Sequence, residues 1–152
     1  MHTRREVLAR SATVVGLLAA AGMWPTGAQA AWPQAAFDAK TLADAVKALG
    51  GSAPAESKDV TITGPDIAEN GAVVPVGAAT TLAGVKRILL LVEKNPSMLA
   101  ALFDVTDAVE PNISTRVKMG QSSNVIAVAI TADNKVLFAQ KEIKVTLGGC
   151  GG

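Results

Sequence analysis

One thiol stands out among the residues able to do chemistry. Cys150 is the only cysteine in 152 residues, and two glycines flank it on each side in Gly148-Gly149-Cys150-Gly151-Gly152. It lies three residues past Leu147, the last residue with strand character. Three extended residues reach about 10 Å. Glycine lets the backbone turn freely and has no side chain to block a narrow channel. A catalytic nucleophile needs a rigid, supported seat instead. The tail therefore suits a thiol that is delivered into another protein's active site. A frayed end with an incidental thiol and a dimer linked through Cys150 are the other readings open to it. Thiolates are stabilised by nearby positive charge. The nearest cation along the chain is Lys144, six residues back, while the carboxylate of Gly152 is two residues away. The thiol is expected to be activated by a partner's site rather than acidified in isolation.

Little else could join it in catalysis. The only histidine is His2, and tyrosine is absent. The first 30 residues read as an export signal. Arg4-Arg5 is a twin arginine, "ATVVGLLAAAGM" (12–23) is an apolar run, and Ala28-Gln29-Ala30 fits a cleavage site. The run is too short to span a bilayer core of roughly 30 Å. The twin arginine suggests the Tat route, which exports folded proteins, and ordinary Sec export is the alternative. Cleavage after Ala30 would leave 122 of the 152 residues. It would remove three of 14 basic and one of 13 acidic residues, leaving 11 and 12, a net charge near −1. That is not the basic footprint of a nucleic-acid binder. It would also remove His2. A mature chain without imidazole excludes Ser-His-Asp and Cys-His catalysis and zinc sites built from clustered Cys and His. No catalytic residue, metal ligand or cofactor site is expected.

The elements that would carry such a tail are mostly strands. Phe37, Leu42, Ala45, Val46 and Leu49 have helical spacing, and Gly50-Gly51 is a stop. One helix is expected over 37–49. "DVTITG" alternates around Val60 and Ile62. "IAENGAVVPV" (67–76) places Asn70-Gly71 between apolar residues, the signature of a β-hairpin with a type I′ turn. Strands are expected at 85–95, 98–106 and 113–119. Residues 98–106 would also suit a helix, and Asn112-Ile113-Ser114 is better read as a strand start than as a glycosylation sequon. In "NVIAVAITA" (124–132), Val125, Ala127, Ala129 and Thr131 fall on one face and Ile126, Val128 and Ile130 on the other. Both faces are apolar, as in a strand buried on both sides. Asp133-Asn134 is a tight turn, and 135–147 returns from it, in one segment or two. The basic residues Lys86, Arg87, Lys94, Arg116 and Lys118 read as a solvated sheet face. Six to eight short strands with turns between them imply an antiparallel β-sandwich. The expected domains are a signal peptide (1–30), a sandwich (31–147) and an arm (148–152).

The twin-arginine leader, the "IAENGAVVPV" segment and the terminal "GGCGG" together resemble the SoxY family, the sulfur-carrier subunit of the bacterial Sox thiosulfate-oxidising system. The resemblance covers nearly the whole chain. It implies a mainly β, immunoglobulin-like antiparallel sandwich with one N-terminal helix and a flexible C-terminal arm. It implies a periplasmic carrier, not an enzyme, paired with SoxZ, a second β-sandwich subunit. Cys150 would be the substrate attachment point, and Gly148, Gly149, Gly151 and Gly152 the flexible arm. In the scheme it implies, the cytochrome SoxAX joins thiosulfate oxidatively to the thiol. The hydrolase SoxB then releases sulfate and, in organisms that have it, SoxCD oxidises the remaining sulfane sulfur. No cofactor belongs to the carrier itself. Two other functions fit parts of the sequence. A ubiquitin-like sulfur carrier would bear a thiocarboxylate on Gly152, and an exported β-sandwich binding module would have an incidental tail.

Overall fold

The computed structural model describes residues 3–20 and 32–148 and divides the chain into two compact units, 1–32 and 33–152. In the first, α1 spans Arg4–Ala20. Thr3 and Glu6 form a capping box. The Glu6 N–H donates to Thr3 Oγ1 at 3.3 Å and the Thr3 N–H to Glu6 Oε2 at 3.0 Å, so the twin arginines sit in the first helical turn. Among the described residues no helix is long and apolar enough to cross a membrane. Ala28-Gln29-Ala30 and His2 lie outside the described residues.

The second unit begins with two short helices, not the single one expected over 37–49: α2 (Gln34–Asp38) and α3 (Leu42–Ala48). Thr41 causes the break. Its hydroxyl accepts from the Asp44 N–H at 3.1 Å and donates to Asp44 Oδ2 at 2.7 Å, so it caps a new helix. The expected stop holds. Gly50 takes φ +78 and donates its N–H to the Lys47 carbonyl, and Gly51 donates to Val46.

Nine strands follow among the described residues: β1 (Ala55–Glu56), β2 (Val60–Thr63), β3 (Ile67–Asn70), β4 (Val74–Thr80), β5 (Val85–Val92), β6 (Leu99–Asp104), β7 (Asn112–Val117), β8 (Ser123–Thr131) and β9 (Val136–Leu147). They form an immunoglobulin-like sandwich. One sheet runs β1-β9-β8-β5-β6, with β3 also paired to β9, and the other runs β2-β4-β7. Pairing is antiparallel except for β1 and β3, which join β9 in parallel.

The two apolar faces of β8 have separate uses. Val125, Ala127 and Ala129 join Ile88, Leu90 and Val92 of β5 in the core between the sheets. Ile126, Val128 and Ile130 join Leu89 and Leu91 in a second core, closed by Ala36 of α2 and by Ala45 and Val46 of α3. Val85 faces inward with Ile88 despite the odd spacing, because the β5–β8 register shifts between Val85 and Arg87. The helix pair is tied down by polar contacts too. Lys40 Nζ donates to the Pro96 carbonyl at 2.7 Å and Ser97 Oγ to the Phe37 carbonyl at 2.8 Å. Of the basic residues read as a solvated face, Arg87 pairs with Asp104 at 2.9 Å and Lys86 with Asp107 at 3.5 Å.

The hairpin expected at Asn70-Gly71 does not form. β3 pairs with β9 and β4 with β2 and β7, so the chain crosses between sheets here. Neither residue has the positive φ that a type I′ turn needs. Asn70 Oδ1 instead accepts from the Ala72 N–H at 2.9 Å, a local turn closed by the side chain. The reason lies in β9, a single 12-residue strand. β8 pairs with it from Val136 only as far as Ile143. On the edge away from β8, β1 covers only Leu137 and Phe138, so the backbone groups of residues 144–147 on that edge need partners, and β3 supplies them. The expected turn at Asp133-Asn134 is present: Asn134 has φ 61, and the Thr131 hydroxyl donates to the Asp133 carboxylate.

Candidate functional site

The end of β9 is where the chain leaves the sandwich. Ile143 is buried in the core between the sheets and Val145 packs against it, while Leu147 is 71% exposed. β9 thus emerges from the core over four residues. On one side it lies parallel to β3, with Lys144 opposite Ile67, Val145 opposite Ala68 and Leu147 opposite Asn70. The Lys144 N–H donates to the Asp66 carbonyl at 3.0 Å, and Thr146 Oγ1 donates to the Glu69 carbonyl at 3.0 Å. On the other side, Ser122 Oγ accepts from the Val145 N–H at 2.9 Å. That side-chain bond extends the hold of β8 beyond its last backbone pair.

The last described residues close a ring. The Gly71 N–H donates to the Leu147 carbonyl at 2.8 Å, and the Gly71 carbonyl accepts from the Met119 N–H at 2.7 Å. Met119 is fully buried and fixes its loop to the core. Asn95 grips the same loop twice, through Nδ2 to the Lys118 carbonyl at 2.7 Å and Oδ1 from the Gly120 N–H at 3.2 Å. Gly148 lies against this loop. A methyl group on it would run into the Gly120 carbonyl oxygen, with the carbonyl carbon at 3.4 Å.

Of the residues singled out from sequence, only Gly148 is described here. Gly149, Cys150, Gly151 and Gly152 lie outside the described residues. Asn95, Gly120 and Ser122 were not singled out at all. Asn95-Pro96 reads as loop punctuation, and nothing in local spacing says that its amide spans to residues 118–120. Just below the site, the Lys141 ammonium sits 2.8 Å from Asp66 Oδ1 and donates to the Gly64 carbonyl at 2.7 Å. Its hydrogen bond first, then its charge, holds the Asp66 carboxyl below the usual carboxylate range. Among the described residues no group of His, Cys, Asp and Glu could hold a metal ion.

The model of the family described as "Sulfur oxidation protein SoxY" matches residues 45–150, most of the sandwich together with the end carrying Cys150. The chain belongs to the SoxY family. The structure of the sulfur carrier protein SoxY from Chlorobium limicola f thiosulfatophilum is similar. It has 37% sequence identity and a TM-score of 0.56, over 62% of this chain and 84% of that one. The superoxide reductase (neelaredoxin) from Ignicoccus hospitalis matches with a TM-score of 0.51 at 20% identity, over 57% of this chain and 79% of that one, a likeness of fold alone. No curated protein sequence matches. Membership of SoxY makes the chain a sulfur carrier of sulfur oxidation and not an enzyme.

Proposed function

We propose that this SoxY protein carries thiosulfate-derived sulfur covalently on Cys150. The observation that carries the reading is the end of β9: the sandwich holds the strand on one edge as far as Val145 and on the other to its last residue, Leu147, three residues before the one thiol of the chain. Attachment is an oxidation. The thiol and thiosulfate together lose two electrons and one proton as an S–S bond forms, giving a cysteine S-thiosulfonate. In this reading the chain supplies no redox centre, and the electron acceptor is the cytochrome partner, SoxAX. Hydrolysis by SoxB then adds water across the bond to the outer sulfone group. Sulfate leaves and a persulfide remains on Cys150, which SoxCD oxidises where it is present.

In this reading the chain works as a heterodimer with SoxZ in the periplasm. Residues 1–30 are its Tat signal and residues 148–152 its carrier arm, and SoxZ folds onto the chain in the cytoplasm and leaves with it. Its single thiol and lone histidine, His2, suit a carrier whose chemistry is done elsewhere.

The test is intact mass spectrometry of the protein purified from thiosulfate-grown cells, with and without reductant. Reductant-sensitive adducts of thiosulfate or sulfane sulfur on the C-terminal peptide are expected. An unmodified thiol in every sample would overturn the proposal, and sulfur on the Gly152 carboxylate would point to the ubiquitin-like chemistry instead.

A further inference from the structure

The ring around Gly148 has a job that glycine flexibility does not describe. Carrier arms are useful only if their root is fixed, because the root defines the volume that the cargo can search. Here four backbone segments meet at the root: the end of β9, the turn after β3, residues 118–120, and Asn95 in the loop after β5. Each link depends on the next. Asn95 holds the 118–120 backbone at both ends, Met119 in that stretch donates to Gly71, and Gly71 donates to Leu147. Gly148 then approaches the Gly120 carbonyl more closely than any side chain permits. The two glycines are not equivalent. A methyl on Gly120 would meet nothing within 4 Å, and neither glycine has a positive φ.

We propose that Gly148, Gly120 and Asn95 form a clasp that fixes the root of the arm, with Gly148 and Asn95 as its positioning residues. The proposal rests on the carrier reading for the arm's purpose but not for the clasp's existence. With Gly148 held, the pivot is the bond after it. The Cys150 backbone then lies at most two residues, about 7 Å, from a fixed point. The thiol lies one side chain further out, so an enzyme acting there must bring its active site to within roughly 10 Å of Gly148. Gly148 is thus required for close approach.

The test uses the full chain with a nitroxide spin label on Cys150, its only thiol, together with amide exchange read residue by residue. Gly148→Ala should narrow the label's spectrum, as a longer and looser tether does. It should also speed exchange at Gly71 and Met119 by roughly tenfold or more, the scale of an overpacking clash. Asn95→Ala should do the same by releasing residues 118–120 from the other side. Gly120→Ala should leave both readouts at wild-type values. Exchange at Leu89 and Val128, in the central strands, should be unchanged in all three, which separates loosening of the clasp from loss of the fold. Wild-type spectra and exchange in both Gly148→Ala and Asn95→Ala would overturn the proposal, as would an equal loosening in Gly120→Ala. Neither readout involves sulfur chemistry, so an unmodified thiol in cells would sink the carrier reading and leave the clasp standing.

Discussion

Gly71 and Leu147 are joined by a 2.8 Å hydrogen bond, N–H to carbonyl, across 76 residues of sequence. This bond ties the "IAENGAVVPV" segment to the last residue of β9, the residue before the terminal glycines begin.

Cys150→Ser should abolish the sulfur adduct while leaving the melting temperature of the protein unchanged. The residue lies beyond the last strand and a hydroxyl replaces a thiol of similar size. Intact mass and a thermal melt check the two halves separately. Full thiosulfate-dependent activity in this variant would favour a binding module with an incidental tail.

Thr41→Ala should cost about 1 kcal/mol of stability. The substitution removes both hydrogen bonds between Thr41 and Asp44 and leaves the Asp44 N–H without its side-chain acceptor. Urea unfolding should show a lower midpoint with an unchanged slope. A midpoint equal to wild type would mean that packing of Ala45 and Val46 alone holds α3.

Gly51→Ala should destabilise by about 1–3 kcal/mol, the range for overpacking. Its Cβ would stand 2.6 Å from Val46 Cγ1 and 2.7 Å from Val136 Cγ2, both on buried side chains of the outer core. Gly50→Ala is the informative contrast. It meets no atom, so its cost comes only from the φ of +78. Chemical denaturation of the pair separates a steric from a conformational penalty.

Asp66→Asn should lower stability at neutral pH and lose that effect in acid. The Asp66 pKa is depressed in the folded protein by Lys141. A depressed carboxyl stabilises the fold above its unfolded value, about 3.9 for an ordinary aspartate. That stabilisation is lost as the pH falls from there through the lower folded value. Both side chains are solvent-accessible, Asp66 at 90% and Lys141 at 32%, so the effect should be small and weaken with salt. Unfolding curves of the two proteins should differ at pH 7 and converge as the pH falls through the lowered folded value. A difference that persists at the acid end would assign the effect to something other than this charge.

Much of the architecture was legible in the residue pattern. β8 was readable as buried on both faces because strand side chains alternate and its two apolar sets, Val125-Ala127-Ala129 and Ile126-Val128-Ile130, each fill one core. Cys150 and its glycines were equally plain, since composition alone isolates a single thiol. The helix break at Thr41 was not, although a Thr three residues before an Asp is a local capping pattern; apolar spacing alone does not register it. Asn70-Gly71 misled because its dipeptide favours a hairpin, and a partner 77 residues away, Leu147 opposite Asn70, outweighed that preference. Sequence by itself determined that the chain has a single thiol, that the domain would be a β-sandwich, and where most of its strands would fall, because these depend on side-chain chemistry and short-range period. Tertiary structure decided how the last strand is held: that β3 pairs with β9, that Asn95 grips residues 118–120, and that Gly148 lies against Gly120. Those contacts join segments far apart in the chain, and backbone groups left unpaired at the end of β9 select them only once the sheets have formed.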